Sequence, residues 1–372
     1  ITYGETPTGN GVNYSGFVGS DTYESLGGTL DYDFKTTNEA NGTDYSMDVA
    51  NATGTFYIWP KGLTSDNYTI VYASNTLTVN PRPITITAPN ETVDYSTSTY
   101  DVSGWTANVT SGSLVTGATE DNHSLTGTTL TVNNATGVQT QKTIMPSAAV
   151  IKKSGTGDTD LSGNYEITYV PGTLTEQVDV PVASGWTTWY NHYDVDIALT
   201  HDGVAVSDLT DITSLAPYIV TNVDTQVATT ETGYIQHATP YLLKYNGSAA
   251  GPLKLDVVYN QSPITGMDNR FKRCTSTFTA TGDNIYVLQG DEFVWSHGSI
   301  PENKCYIDFG TGVGARYRSL GINTGDGTTS LSELNIEDVE SGDWYDLQGR
   351  KLDSMPTKKG LYIMNGKKVV IK

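Results

Sequence analysis

The stretches NYTIVYASNTLTV at 67–79 and NYEITYVPGTLTE at 164–176 are close copies of one another. The Asn-Tyr pair that opens each stretch and the Thr-Leu-Thr triplet near its end recur at one offset, 97 residues. Alternation of branched or aromatic residues with polar ones is typical of half-buried β-strands. The copies therefore predict two related β modules in series, each with a strand pair joined by a tight turn at Asn75 or Gly172.

A shorter motif helps to place the module boundary. ITYG at 1–4 resembles VDYS at 93–96, but the strand pattern PITIT at 83–87 precedes only the second of these turns. We therefore begin the second module at residue 82. We expect the first module to lack its first strand, the natural protein to continue upstream, and a sheet edge to stay unpaired.

The composition favours strands and turns over helices. Tyr, Thr, Gly and Asn suit pleated surfaces and tight turns, and the chain has 38 Gly and 24 Tyr. No apolar run approaches the length of a membrane-spanning helix, and the opening ITYGETPTGN does not resemble a signal peptide. The net charge of −20 would repel phosphate backbones, so nucleic acid is not expected as a partner.

Only one segment of the first module carries a helical signal. In GSDTYESLGG at 19–28, Ser20 or Asp21 is a candidate N-cap, Glu24 follows at capping-box spacing, and two glycines end the turn. Strands are predicted on either side of the following loop, at 29–34 and 54–59.

The pattern YGE…GFVGSDTYESLGGTL…GLTSDNYTIVYASNTLTV resembles the MBG-type repeats of bacterial surface proteins and adhesins. The resemblance covers residues 1–81 well and 82–177 more loosely. It implies extracellular, mostly β modules strung in tandem, and it brings no catalytic residue with it.

Residues 178–325 contain regularly spaced strand patterns at 183–197, 217–223, 238–247, 251–259 and 284–295. This block resembles a β-rich domain common near the C-termini of exported Bacteroidetes proteins. The last segment contains YDLQGR at 345–350, GLYI at 360–363 and NGKKV at 365–369. With these motifs, residues 326–372 are similar to the C-terminal, secretion-associated (type IX sorting) domain of the same bacteria. There Asn365-Gly366 predicts a two-residue hairpin turn.

A catalytic constellation is not evident in the sequence. The five histidines are scattered, without metal-ligand spacing: His123, His192, His201, His237 and His297. GTGVGA at 310–315 matches a dinucleotide pattern, but no helix is predicted after it. Asp194 and Asp196 are expected on one strand face in water rather than across a cleft. We expect no catalytic residue, metal ion or cofactor.

Four aromatic residues fall within eight positions and raise the question of a sugar-binding platform: Trp186, Trp189, Tyr190 and Tyr193. Strand alternation would send Trp186 and Tyr190 to one face and Trp189 and Tyr193 to the other. We favour packing over ligand binding, because large aromatics dominate small β cores.

Two cysteines, Cys274 and Cys305, leave two possibilities open. In an oxidising compartment they could form a disulfide that closes a loop of about thirty residues, worth roughly 3 kcal/mol. The alternative, towards which we lean, is two buried thiols.

Together these observations predict an all-β, elongated, multidomain chain of small sandwich-like or β-grasp-like modules with very little helix. The predicted modules are 1–81, 82–177, 178–325 and 326–372. The resemblances imply a non-catalytic stalk or adhesin, monomeric in our working expectation, on the outer surface of a Gram-negative bacterium. Its partners would be extracellular proteins or glycans. The alternative is a glycan-binding accessory protein of a polysaccharide-utilisation system.

Overall fold

The computed structural model describes residues 1–116, 122–133, 140–153, 159–201, 204–205, 215–223, 227–230, 233–247, 251–259, 261–281, 284–310, 319–322, 324, 344–346, 350–352, 356, 360–364 and 367–371. The chain divides into two compact units. The first unit comprises Ile1–Glu91, Ser98–Ala135 and Lys142–Leu174, and the second comprises Thr92–Thr97, Thr136–Gln141 and Thr175–Lys372. The predicted boundary at residue 82 lies inside the first unit. The bounds of the four predicted modules stay predictions.

The strands up to residue 180 are β1 (Gly27–Lys35), β2 (Gly54–Thr64), β3 (Asn75–Val79), β4 (Arg82–Thr87), β5 (Glu91–Asp94), β6 (Asn108–Gly112), β7 (His123–Asn133), β8 (Thr143–Lys153), β9 (Tyr165–Val170) and β10 (Gly172–Val180).

The remaining strands are β11 (Gly185–Tyr190), β12 (Asp196–Ala198), β13 (Thr200–His201), β14 (Val204–Ala205), β15 (Leu215–Asn222), β16 (Val227–Thr230), β17 (Tyr234–Ile235), β18 (Pro240–Tyr245), β19 (Leu253–Val258), β20 (Phe271–Arg273), β21 (Phe278–Thr279), β22 (Ile285–Gln289), β23 (Glu292–Trp295), β24 (Ser299–Ile300), β25 (Cys305–Asp308), β26 (Ser319–Gly321), β27 (Trp344–Tyr345), β28 (Lys351–Leu352), β29 (Gly360–Met364) and β30 (Lys367–Ile371).

The all-β prediction is confirmed, with many small sheets and two 3₁₀ turns as the helical elements of the described residues. The predicted helical signal is a single turn at Tyr23–Ser25, and its N-cap is Thr22 rather than Ser20 or Asp21. The Thr22 hydroxyl accepts a hydrogen bond from the Glu24 amide, and the Ser25 hydroxyl accepts one from the Thr22 amide. This reciprocal pair satisfies two amides, but the turn leads directly into β1.

The first repeat contains one antiparallel sheet in the order β1-β2-β3. Its buried residues alternate along the strands, as with Leu77 and Val79 on β3, where Leu77 lies opposite the buried Phe56 on β2. The chain's first residues continue this edge: the Tyr3 amide donates to the Asn80 carbonyl, and the Asn80 amide donates to the Ile1 carbonyl. Period-two burial is what the sequence alternation predicts.

The second repeat contains two sheets within the first unit. β7 and β8 form a long antiparallel hairpin, and the first residues of β10 pair with β8. A separate three-stranded sheet has the order β6-β4-β9, with β4 in the centre, antiparallel to β6 and parallel to β9. Ile84 and Ile86 on β4 are buried, as their alternation with threonine predicts.

The predicted hairpin between the two strands of each copy is wrong. β9 pairs with β4, whereas β10 pairs with β8, so the chain passes from one sheet to another at Gly172. A Cβ at Gly172 would lie 1.9 Å from the Pro89 carbonyl oxygen, so this glycine permits close backbone contact rather than a turn. In the first copy, residues 68–74 are not in a strand.

The two repeats nevertheless share backbone details. The Tyr95 amide donates to the Gln177 carbonyl over 2.7 Å, as the Tyr3 amide does to Asn80 over 2.8 Å. This matches the similarity of ITYG to VDYS in the sequence. The two repeats therefore share this backbone hydrogen bond as well as their sequence similarity.

In the second unit, β11 belongs to a sheet in the order β11-β18-β15-β16. One apolar cluster joins Trp189 and Tyr241 to residues of β12 and β19. Another joins Tyr190 to the sheet β20-β25-β22-β23-β26, through side chains such as Phe271 and Phe293. Both faces of the β11 sheet are thus packed.

The C-terminal strands form a small sheet in the order β28-β27-β29-β30. The predicted pairing of the last two strands is confirmed, with Gly360 opposite Ile371 and Met364 opposite Lys367. The Asn365-Gly366 turn and most of 310–315 lie outside the described residues.

Candidate functional site

The aromatic side chains of β11 and the following loop separate onto two faces, as the alternation predicts. Trp189 lies in one apolar cluster with Tyr193 packed against it, while Tyr190 lies in the other with Trp186 packed against it. Trp189 and Tyr190 are buried, and Trp186 and Tyr193 are partly buried. Burial raises the pKa of the Tyr190 and Tyr193 hydroxyls above its ordinary value. The four rings therefore do not form a single exposed platform.

Trp186 keeps part of its indole at the surface. Its ring centroid lies 5.1 Å from that of Tyr218, and the Lys244 ammonium lies 5.3 Å from the Trp186 centroid. A cation at this distance is attracted to the negative face of the indole. Lys244 thus occupies space that a sugar ring would need for stacking on that face.

Asp194 and Asp196 do not share a solvated face, so that prediction is wrong. Asp194 is exposed, whereas Asp196 is 2% exposed and accepts hydrogen bonds from the backbone amide and Nδ1 of His237, at 2.8 and 2.6 Å. Next to it, the buried Asn191 side chain donates to the Val195 carbonyl. A buried carboxylate needs such donors, and here they tie a loop to the sheet.

Both cysteines are buried free thiols in this structure. Cys274 Sγ donates to the Ser276 carbonyl over 3.1 Å, and the Cys305 amide donates to Thr188 Oγ1. Burial raises the pKa of both thiols, which lowers the thiolate fraction on which nucleophilic reactivity depends.

Within the described ranges, His, Cys, Asp and Glu side chains form no group of three or more that could hold a metal ion. The same ranges contain no helix that is long and apolar enough to cross a membrane.

A joint between the two repeats lies in the first unit and includes a buried polar contact. Asn164 is fully buried, its Oδ1 accepts a hydrogen bond from the Ala52 amide, and its Nδ2 donates to the Val49 carbonyl, both over 2.8 Å. One side chain of the second repeat therefore satisfies two backbone groups in a loop of the first. Its counterpart in the first copy, Asn67, is exposed.

An aromatic cluster lies at the same joint. The buried Tyr3 ring of the first repeat packs edge-to-face on Tyr165 with the centroids 5.5 Å apart, and it lies 5.9 Å from His123. The Tyr3 hydroxyl donates to the Met47 carbonyl, and the hydroxyl of Tyr165 lies 2.6 Å from His123 Nδ1. Burial raises the pKa of both tyrosines, so their hydroxyls stay protonated.

Arg82 completes this joint from the boundary between the repeats. Its guanidinium donates to the carbonyl and hydroxyl oxygens of Ser113, at 2.6 and 2.8 Å, and to the Tyr3 carbonyl at 3.3 Å. A planar, five-donor group can hold three acceptors in one geometry, which a lysine could not. These hydrogen bonds and packed rings hold the two repeats against each other within the first unit.

Sequence analysis did not identify this joint. The match of Asn67 with Asn164 was visible, but the hydrogen-bond partners of the Asn164 side chain lie in the other repeat, more than one hundred residues away in the sequence. Comparison of the chain with models of known protein families, with curated proteins and with solved structures finds no match. The structural class and the joint are therefore the main basis for a functional proposal.

Proposed function

We propose that this chain is a non-catalytic extracellular structural or adhesive protein. Its repeated β modules serve as a stalk or adhesive array at the outer surface of a Gram-negative bacterium, and its C-terminal β module serves export or attachment. The observation that carries the proposal is the joint between the repeats, formed by the buried Asn164 and Tyr3 and by the partly exposed Arg82. A module copied and then locked to the original adds length and surface without adding reactive groups.

A locked joint has a mechanical consequence. If the repeats were linked only by a flexible connection, tension along the chain would first separate them and then unfold each one. Separation requires the hydrogen bonds of the joint to break, and water cannot gradually replace the buried one between Asn164 and the Ala52 amide. The joint should therefore resist force.

Single-molecule force spectroscopy on the full 372-residue chain, tethered at its two ends, tests this function. We expect Asn164→Ala to lower the force at which the first unit opens. Asn67→Ala, the matched change at the exposed repeat counterpart, should leave that force unchanged. Equal forces for the two variants, or turnover of a substrate by the purified chain, would refute the proposal.

The second candidate is a glycan-binding accessory protein. In its favour, Trp186 keeps part of its ring at the surface beside Tyr218. Screening the chain on a polysaccharide array distinguishes the two functions. Binding that is lost in Trp186→Ala but kept in Trp295→Ala, another partly exposed indole, would favour the glycan-binding role.

A further inference from the structure

The sheet β1-β2-β3 of the first repeat has a counterpart in the second repeat, formed by β7, β8 and the first residues of β10. Asn75 of β3 pairs with Ile58 of β2, and Gly172, 97 residues later, pairs with Ile144 of β8. In both central strands a proline follows two residues after this isoleucine. The two central strands can therefore be compared position by position.

Alternate residues of β2 point to the two faces of this sheet. Phe56 lies on the buried face, opposite Leu77 of β3. The other face carries Tyr57, Trp59 and Lys61 of β2, beside Asp31, Asp33 and Lys35 of β1 and Thr76 and Thr78 of β3. We name this surface the aromatic face. Asp31, Thr76 and Thr78 are exposed and both rings are partly buried, so the aromatic face is open to solvent.

The sheet forms without these rings. Counted from the two paired isoleucines, Thr143 and Met145 of β8 occupy the positions of Tyr57 and Trp59. Met145 is 36% exposed, so the matching surface of the second repeat is open as well. The residues that pair with these two on β7 are uncharged: Thr131 and Asn133. The rings and charges of the aromatic face are therefore not required to build the sheet.

The polar tips of both rings lack a partner. Among the described residues, neither the Tyr57 hydroxyl nor the Trp59 indole N–H makes a hydrogen bond, and the indole nitrogen itself is buried. A buried donor without a partner costs stability and is uncommon in native proteins. Tyr and Trp combine an apolar ring with a polar tip, and they are enriched where a binding partner meets both. The two rings thus have the features of a binding surface.

Ion pairs lie beside the two rings. Lys61 Nζ contacts Asp33, and it lies 3.5 Å from Asp31 Oδ2. Lys35 Nζ lies 2.6 Å from Asp44 Oδ1 and 3.9 Å from Asp33 Oδ2. A carboxylate has about four acceptor sites and an ammonium group has several donors, so these groups keep capacity for a ligand. Side chains of both signs next to flat rings suit a neutral ligand with many hydroxyl groups, because each hydroxyl both donates and accepts.

We propose that the aromatic face binds a neutral glycan, with sugar rings stacked on Trp59 and Tyr57 and sugar hydroxyls bonded to Asp33 and Lys61. The flat C–H face of a pyranose ring packs on the electron-rich face of an aromatic ring. A protein partner is disfavoured, because charged residues are depleted at the centre of protein interfaces. A polyanion is disfavoured by the carboxylates of this face and by the net charge of −20. The proposal rests on the adhesive function given above and names its ligand.

Affinity electrophoresis of the full chain through gels that contain a neutral polysaccharide tests the site, with a β-glucan, a mannan, a xylan and a galactan as probes. We expect at least one probe to retard the chain. Trp59→Ala should weaken that binding at least about ten-fold, because the indole supplies much of the contact area. Trp295→Ala, which removes a surface indole outside this sheet, should change it less than about two-fold. Binding to none of the four probes, or equal weakening by both variants, would overturn the proposal.

The second repeat supplies substitutions that the sheet tolerates. Trp59→Met and Tyr57→Thr place in the first repeat the residue types that Met145 and Thr143 have at the same positions of the second. Both variants should keep the urea midpoint of the unchanged chain, yet each should bind the polysaccharide at least about five-fold more weakly. Unchanged binding in a folded Trp59→Met chain would contradict the site.

Two further comparisons identify the ligand and its place. Tighter binding to polygalacturonate, an anionic polysaccharide, than to every neutral probe would overturn the assignment of a neutral ligand. Loss of binding in Trp186→Ala but not in Trp59→Ala would place the glycan elsewhere and overturn the site. The proposed stalk is tested separately, by the opening force of Asn164→Ala. A chain that binds no glycan but keeps that difference in force therefore loses the ligand site and not the stalk.

Discussion

The side chain of Asn164 provides a sharp test of the joint between the repeats. Asn164→Ala removes the acceptor for the Ala52 amide and the donor to the Val49 carbonyl, each at 2.8 Å. Ala52 is fully buried, so water cannot replace the lost acceptor without opening the loop. Leaving a buried polar group unsatisfied costs about 1–3 kcal/mol, and we expect a loss of that size from the Ala52 amide, because Val49 is 48% exposed and its carbonyl can bind water instead.

The repeat supplies a matched control. Asn67 is the same residue type at the equivalent position, and its backbone amide, rather than its side chain, bonds Ser65 Oγ in the described structure. Asn67→Ala should therefore change the free energy of unfolding by less than about 0.5 kcal/mol, as is usual for surface substitutions. Asn164→Asp should lower the free energy of unfolding more than Asn67→Ala does, because it keeps an acceptor for the Ala52 amide but brings a carboxylate to the Val49 carbonyl.

Two measurements check this prediction. Urea denaturation gives the loss in free energy of unfolding for each variant. Hydrogen exchange followed by mass spectrometry locates that loss, and protection of the Ala52 amide should fall in Asn164→Ala while it persists in Asn67→Ala. If the two alanine variants lose equal stability, or if Ala52 keeps its protection, the reasoning about the joint is refuted.

Three further predictions concern other parts of the chain. Gly172→Ala should destabilise the first unit by about 1–3 kcal/mol in urea denaturation, because its Cβ would overlap a carbonyl oxygen, whereas Gly104→Ala, with open space around its Cβ, should not. The two buried cysteines should resist a thiol reagent in the native chain, and both should react in guanidinium; failure to react there would indicate a disulfide. The Arg270 guanidinium lowers the pKa of Asp268 to about 2. The stability from this carboxylate is present above its unfolded pKa of about 4 and is lost as the pH falls towards 2. Thermal unfolding between these pH values should therefore depend less on pH in Arg270→Gln, and an unchanged slope would contradict the pairing.

Much of the strand content could be predicted from alternation alone. Ile84 and Ile86 are buried and the intervening Thr85 is only partly so, and Trp189 and Tyr190 point to opposite faces, as a period of two requires. The low helical content could also be predicted from the composition, because Gly, Asn and β-branched residues disfavour helices. The cap at Thr22 was misplaced by one or two residues, since a single 3₁₀ turn leaves little pattern to anchor it.

By itself, the sequence determined that this is a β protein, that it carries a repeated module, and which faces of its strands are apolar. Each of these properties depends on neighbours along the chain, so a local pattern reveals it. Only the tertiary structure decided that β9 and β10 belong to different sheets, that Asn164 joins two repeats, and that Asp196 is buried with His237. Those outcomes depend on which distant backbone groups meet, and the pairing of strands far apart in the chain is selected by the energy of the whole fold rather than by any one segment.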